Sequence, residues 1–176
     1  MTEAESGEIA VIVDVVSPDW RKVDLDPDEI VPTAVRAALA GADAPIADSV
    51  ELGVRLTDDA EIRTLNRDWR DRDAATNVLS FALGEPPVDS NVENGPADAA
   101  VMLGDIVVAY ETCAGEAQEQ GKSLADHLSH LVVHGTLHLL GFDHEADDEA
   151  EIMEALERAI LAGIGVPDPY LDSEAA

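Results

Sequence analysis

Cysteine is nearly absent: Cys113 is the only one, so no internal disulfide can form and zinc modules built from several thiolates are excluded. Aromatic residues are almost as scarce, with two each of Trp, Tyr and Phe. Only Trp69 and Phe81 fall near the middle of the chain, leaving little from which to build a platform for stacking single-stranded bases. No apolar run approaches the roughly eighteen residues that a membrane helix needs. The opening MTEAESGEIAVIVDVV is acidic with a short apolar run, where a secretory leader would have a basic stretch before its apolar core. A cytosolic, reducing setting is therefore expected.

Positive charge is the scarcest commodity. Ten Lys and Arg residues face 38 Asp and Glu, for a net charge of -28, and only Lys22 and Lys122 are lysines. A surface this acidic repels polyanions over most of its area. Yet Arg63, Arg67, Arg70 and Arg72 lie within ten positions. A local positive patch can still hold a phosphate, because contacts within a Debye length of about 8 Å dominate at physiological salt. The plainer alternative is that these arginines pair with Asp68, Asp71 and Asp73 on a solvated helix.

What is abundant is regular patterning. At 176 residues the chain suits one domain with one sizeable core. Residues 9–16 form a β-branched run that reads as a buried strand, and 50–56 alternate apolar and polar as a half-buried strand does. Residues 77–83 and 101–109 are two further strands. Helices are expected at 27–42 (capped by Asp26), from a Thr57 cap to about Arg70, at 109–119, at 124–140 (capped by Ser123) and at 147–161. Residues 84–100, rich in Pro, Gly, Asn and Asp, read as an exposed loop. The order βαβαββααα implies an α+β (α/β-like) fold: a single compact domain over residues 1–166, with a small mixed four-stranded sheet packed by about five helices. Residues 167–176 read as an acidic tail that frays.

The chemistry is expected in LVVHGTLHLLGFDH, residues 131–144. Histidines four apart share a helix face, so His134 and His138 can both reach one ion at about 2.1 Å. Gly141 can end the helix through a left-handed residue and let the chain fold back to bring His144 alongside. Three neutral nitrogens leave a fourth tetrahedral position open, as in a catalytic zinc site. One Zn2+ ion held by His134, His138 and His144, on a helix and the turn after it, is the expectation. Gly135 stands where HExxH metalloproteases carry a glutamate base, which disfavours peptide hydrolysis by that route. His127 and His130 are read as residues around the ligands or facing solvent. Asp143 is a candidate to orient a ligand, or simply a turn residue. Asp105 and Ser80 could line the site but read as ordinary strand-end residues.

Together, LNRDWRDRDAATNVLSF (65–81), LGDIVV (103–108) and HGTLHLLGFDH (134–144) resemble the YbeY family of bacterial metal-dependent endoribonucleases. The resemblance runs from about residue 50 to 160. It implies a compact α/β fold, a metal on His134, His138 and His144, and a catalytic arginine at Arg70. It also implies a single-strand-specific endoribonuclease in ribosomal RNA maturation and ribosome quality control. The substrate would be ribosomal RNA and the partners the ribosome or small-subunit proteins, with no role for DNA or a membrane. Two other classes are weighed against it: a ribosome-assembly factor whose metal is mainly structural, and a metallohydrolase acting on a peptide or small phosphoester.

If the acidity is an adaptation to a salty cytoplasm, added salt screens self-repulsion and stabilises the fold. The melting temperature is then expected to rise markedly from low to molar salt, and a flat profile contradicts this.

Overall fold

The computed structural model describes residues 8–42, 49–82, 101–142 and 146–170. Four strands form one mixed sheet: β1 (Glu8–Val15), β2 (Ser49–Thr57), β3 (Val78–Ala82) and β4 (Val101–Ala109). Their spatial order is β1-β2-β4-β3. β1 runs parallel to β2 and β2 parallel to β4, while β3 is antiparallel to β4 and leaves its other side as a sheet edge. The helices are α1 (Asp19–Lys22), α2 (Pro27–Ala42), α3 (Asp59–Arg70), α4 (Tyr110–Gln120), α5 (Leu124–Leu139) and α6 (Asp147–Gly163). No helix among the described residues is long and apolar enough to cross a membrane.

Strand alternation sorts the side chains into two layers. Val50, Leu52, Val54 and Leu56 of β2, with Ile106 and Val108 of β4, join buried residues of α2, α5 and α6 in the main core. On the opposite face a smaller cluster of Ile62, Leu79, Val107 and Ala109 sits under α3. The sheet is thus sandwiched, with α3 and its arginines on one side and the histidine helix on the other.

The five expected helices are present, joined by the single-turn α1. It is too short for any periodicity, but it carries Trp20, which is fully buried and donates its indole N–H to the Thr57 carbonyl at 3.0 Å. The cap of α3 shifts by one residue from expectation. Asp58, not Thr57, accepts the Glu61 amide, and the Thr57 hydroxyl instead donates to the Glu61 carboxylate at 2.6 Å. Aspartate accepts as well as threonine at this position, so sequence alone separates the two poorly. The expected loop at 84–100 lies outside the described residues.

Where β2 meets β4 the register slips: Glu51 opposes Met102 and Leu52 opposes Gly104, so Leu103 is extra. The irregularity is a bulge, and Gly104 adopts a φ of +142°. A Cβ there would come within 2.2 Å of the Phe81 carbonyl oxygen. We expect Gly104→Ala to cost about 2 kcal/mol or more, lowering the melting temperature by roughly 4 °C or more at this chain length. An unchanged melting temperature contradicts the bulge geometry.

Candidate metal centre

Helix α5 starts at Ser123, whose hydroxyl accepts the Asp126 amide at 3.0 Å. It stops where the sequence suggests: Gly141 is left-handed (φ +103°), and the amides of Gly141 and Phe142 return to the carbonyls of His138 and Leu137. His138 therefore lies in the last turn. His134 and His138 are half-buried on one face, with ring centroids 4.6 Å apart and their Nε2 atoms 3.1 Å apart. A tetrahedral zinc with bonds of about 2.1 Å holds its nitrogens roughly 3.4 Å apart, so this pair suits one cation with little adjustment. His144 and Asp143 lie outside the described residues. Among the described residues no group of three His, Cys, Asp or Glu closes around one point, and the centre as described consists of two of its three expected ligands.

Behind His134 sits a residue that sequence reading passes over. Glu157 of α6 is fully buried. Its carboxylate lies 2.6 Å from His134 Nδ1 and 3.0 Å from His130 Nε2, and it accepts the Tyr170 hydroxyl. Burial alone pushes the Glu157 carboxyl up, but hydrogen bonds from His130 and His134, the electrostatic pull of the His134 ring and the Tyr170 bond outweigh it and bring it to about 2. The group is thus an ionised acceptor facing His134 Nδ1, and the other ring nitrogen of His134, Nε2, is turned toward His138. Burial, followed by the bond to Glu157, raises the Tyr170 phenol above its ordinary value. One signal could have revealed Glu157. Met153, Glu157, Ile160 and Leu161 stand at helical spacing, and all are buried, so an acid occupies a core position of an apolar stripe.

Neither remaining histidine faces solvent freely. His130 shares Glu157, and His127 is buried with its Nε2 2.8 Å from Glu116. Burial lowers the His127 pKa, and the Glu116 bond offsets only part of that. Asp168 and Tyr170 belong to the segment expected to fray, yet both are tied to α6: Arg158 pairs with Asp168 at 3.3 Å and lies over the Tyr170 ring.

The arginine cluster divides. Arg63 pairs with Asp73 at 2.7 Å and Arg67 with Asp68 at 3.1 Å. Arg70 and Arg72 make no carboxylate pair among the described residues. Arg70 ends α3, where Asp71 takes up a left-handed φ of 62°. Its Nη2 donates to the Ser80 carbonyl at 2.9 Å, and its guanidinium lies over the Phe81 ring. The Ser80 hydroxyl in turn donates to the Gly135 carbonyl at 3.4 Å. Edge strand β3 therefore links Arg70 to the residue beside His134. Asp105 is on the α3 side of the sheet, where it lines a cleft of about 1150 Å³ together with Arg70, Arg55, Glu61, Ser80 and Phe81; no residue of α5 lines that cleft.

These features have close relatives. A model of the family described as Endoribonuclease YbeY matches residues 19–165. A protein of that name from Rhodopseudomonas palustris (strain BisB18) is 52% identical over 160 residues, covering 91% of each chain. Another from Paramagnetospirillum magneticum is 49% identical over 162 residues, covering 92% of this chain and 96% of the relative. The fold is also similar to the solution structure of TM1509 from Thermotoga maritima, with a TM-score of 0.50 and 20% identity over 89% of this chain and 91% of that one.

Gly135 is where α5 comes closest to the sheet. A Cβ there would lie 2.9 Å from Ile106 Cγ2 and 3.1 Å from Ser80 Oγ. We expect Gly135→Ala to cost roughly 1–3 kcal/mol by overpacking and Gly135→Glu to unfold the protein without creating a peptidase. Thermal melts with a casein assay check both, and a stable, proteolytic Gly135→Glu protein contradicts this geometry.

Proposed function

The chain belongs to the YbeY family of endoribonucleases, and on that premise we propose that it cuts unpaired stretches of ribosomal RNA at one zinc ion held by His134, His138 and His144, with Arg70 gripping the phosphate. The observation that carries the reading is the 3.1 Å approach of the His134 and His138 Nε2 atoms on one helix face. Matching of residues 19–165 to the family supports the RNA substrate. The site of action is the cytoplasm, and ribosomal or small-subunit proteins bring this acidic chain to its substrate.

When bound, a zinc ion at this position supplies Lewis acidity toward water or a phosphoryl oxygen. The chain's own residues do the rest. His134, His138 and His144 would hold the ion through ring nitrogens, and a donor set of three protein residues suits catalysis better than a purely structural metal. Arg70 spends one N–H on Ser80 and keeps further donors of its planar fork for a phosphate, a geometry that lysine cannot reproduce. Position 135 offers no acid–base group, and its direction toward Ile106 leaves no room for one. Deprotonation of the nucleophile, whether a water or the RNA 2′-hydroxyl, therefore does not use that position.

Zinc-loaded protein should cut structured RNA bearing unpaired segments, lose this activity on chelation, and leave casein intact. Arg70→Ala should keep its zinc while turnover falls about 10²–10³-fold, and His138→Ala should lose both. Full activity in Arg70→Ala removes that residue's role. RNA binding without cleavage by zinc-loaded wild-type protein would favour the assembly-factor reading.

A further inference from the structure

We propose that Glu157 is the positioning residue of the histidine centre, selecting the His134 tautomer that turns Nε2 toward the metal, and that His130 and Tyr170 serve to hold Glu157 in place. This rests on the metal-centre reading above and adds to it a residue outside the three-histidine motif.

A fully buried carboxylate is costly unless its oxygens are met by donors. Here donors converge from two directions. His130 and His134 come from α5, and Tyr170 comes from the segment after α6. The two oxygens are divided between them: Oε1 takes His130 Nε2 and the Tyr170 hydroxyl, and Oε2 takes His134 Nδ1 at 2.6 Å. With Oε1 occupied, the carboxylate cannot rotate away from His134 without losing two bonds. An ionised carboxylate only accepts, so the His134 proton is fixed on Nδ1 and the lone pair on Nε2. That is the arrangement by which carboxylates orient metal-binding imidazoles and raise their basicity.

The brace is itself braced. The Tyr170 amide donates to Asp168 Oδ1 at 2.8 Å, Asp168 pairs with Arg158, and the Arg158 guanidinium lies over the Tyr170 ring at 5.4 Å. Residues 168–170 thus clip back onto α6 one position from Glu157. His130 is excluded from sharing the ion by geometry as well as by this bond: two turns separate it from His138, about 12 Å of axial rise. Its conformation is spent on Glu157, and its Nδ1 is buried without a hydrogen-bond partner among the described residues.

Two variants test the proposal, Glu157→Gln and Tyr170→Phe, each in the full chain and checked for folding by circular dichroism. Zinc affinity is measured by competition with a chromogenic chelator, and the His134 tautomer by long-range proton–nitrogen NMR on zinc-free protein. Wild type should show the Nδ1–H form. Glu157→Gln should lose that signature and bind zinc about 10–100-fold more weakly, and Tyr170→Phe should weaken zinc severalfold. Should Glu157→Gln fail to fold, Tyr170→Phe decides alone. Variants that bind within twofold of wild type with the tautomer unchanged overturn the role of Glu157. Wild-type protein that takes up no zinc overturns instead the metal-centre reading beneath it.

Discussion

The close seating of α5 on the sheet at Gly135 governs where everything else in the site can be. With no side chain at that position, the helix backbone drops onto Ile106 and Ser80. Fixing which face of α5 meets the sheet fixes the opposite faces too, since each residue is turned by about 100° from the last. His134 and His138 are carried to the side where α6 supplies Glu157, and Ser80 is brought against the carbonyl of Gly135. The same contact explains why a helix with two histidines at protease spacing lacks the protease glutamate: the position belongs to packing, not to catalysis.

Charge is handled locally rather than globally. Across the whole chain 38 acids outnumber ten bases, and two of the clustered arginines are neutralised by Asp73 and Asp68. Arg70 escapes this because α3 ends beneath it and a backbone carbonyl, which carries no full charge, is its anchor. Its positive charge is therefore kept, and the guanidinium is held in place by Ser80 and Phe81. Inside the fold the opposite strategy operates: the buried negative charge of Glu157 is met by three side-chain partners, His130, His134 and Tyr170.

Much of this was legible from sequence. The four strands and five long helices follow from apolar periodicity, and the end of α5 from Gly141, because such signals are local. The sharing of a face by His134 and His138 needs only the helical repeat. What stayed hidden depends on distant partners. Trp20 makes α1 worthwhile only because β2 offers the Thr57 carbonyl 37 residues away. Glu157 was one acid among 38, distinguishable only by its place in the Met153–Ile160–Leu161 stripe. Tyr170 had no local signal, since its value lies in a bond to α6. Ser80 looked like an ordinary strand residue because its link between Arg70 and α5 exists only once β3 is the sheet edge.

The central claim is that three imidazoles grip one cation and leave one of its positions to solvent. Anomalous diffraction at the zinc edge from crystals grown with zinc tests it most directly. A single peak at about 2.1 Å from the Nε2 atoms of His134 and His138 and from a His144 nitrogen, with only solvent in the fourth position, is the expected result. No peak between those rings, or a fourth protein side chain closing the ion, contradicts it.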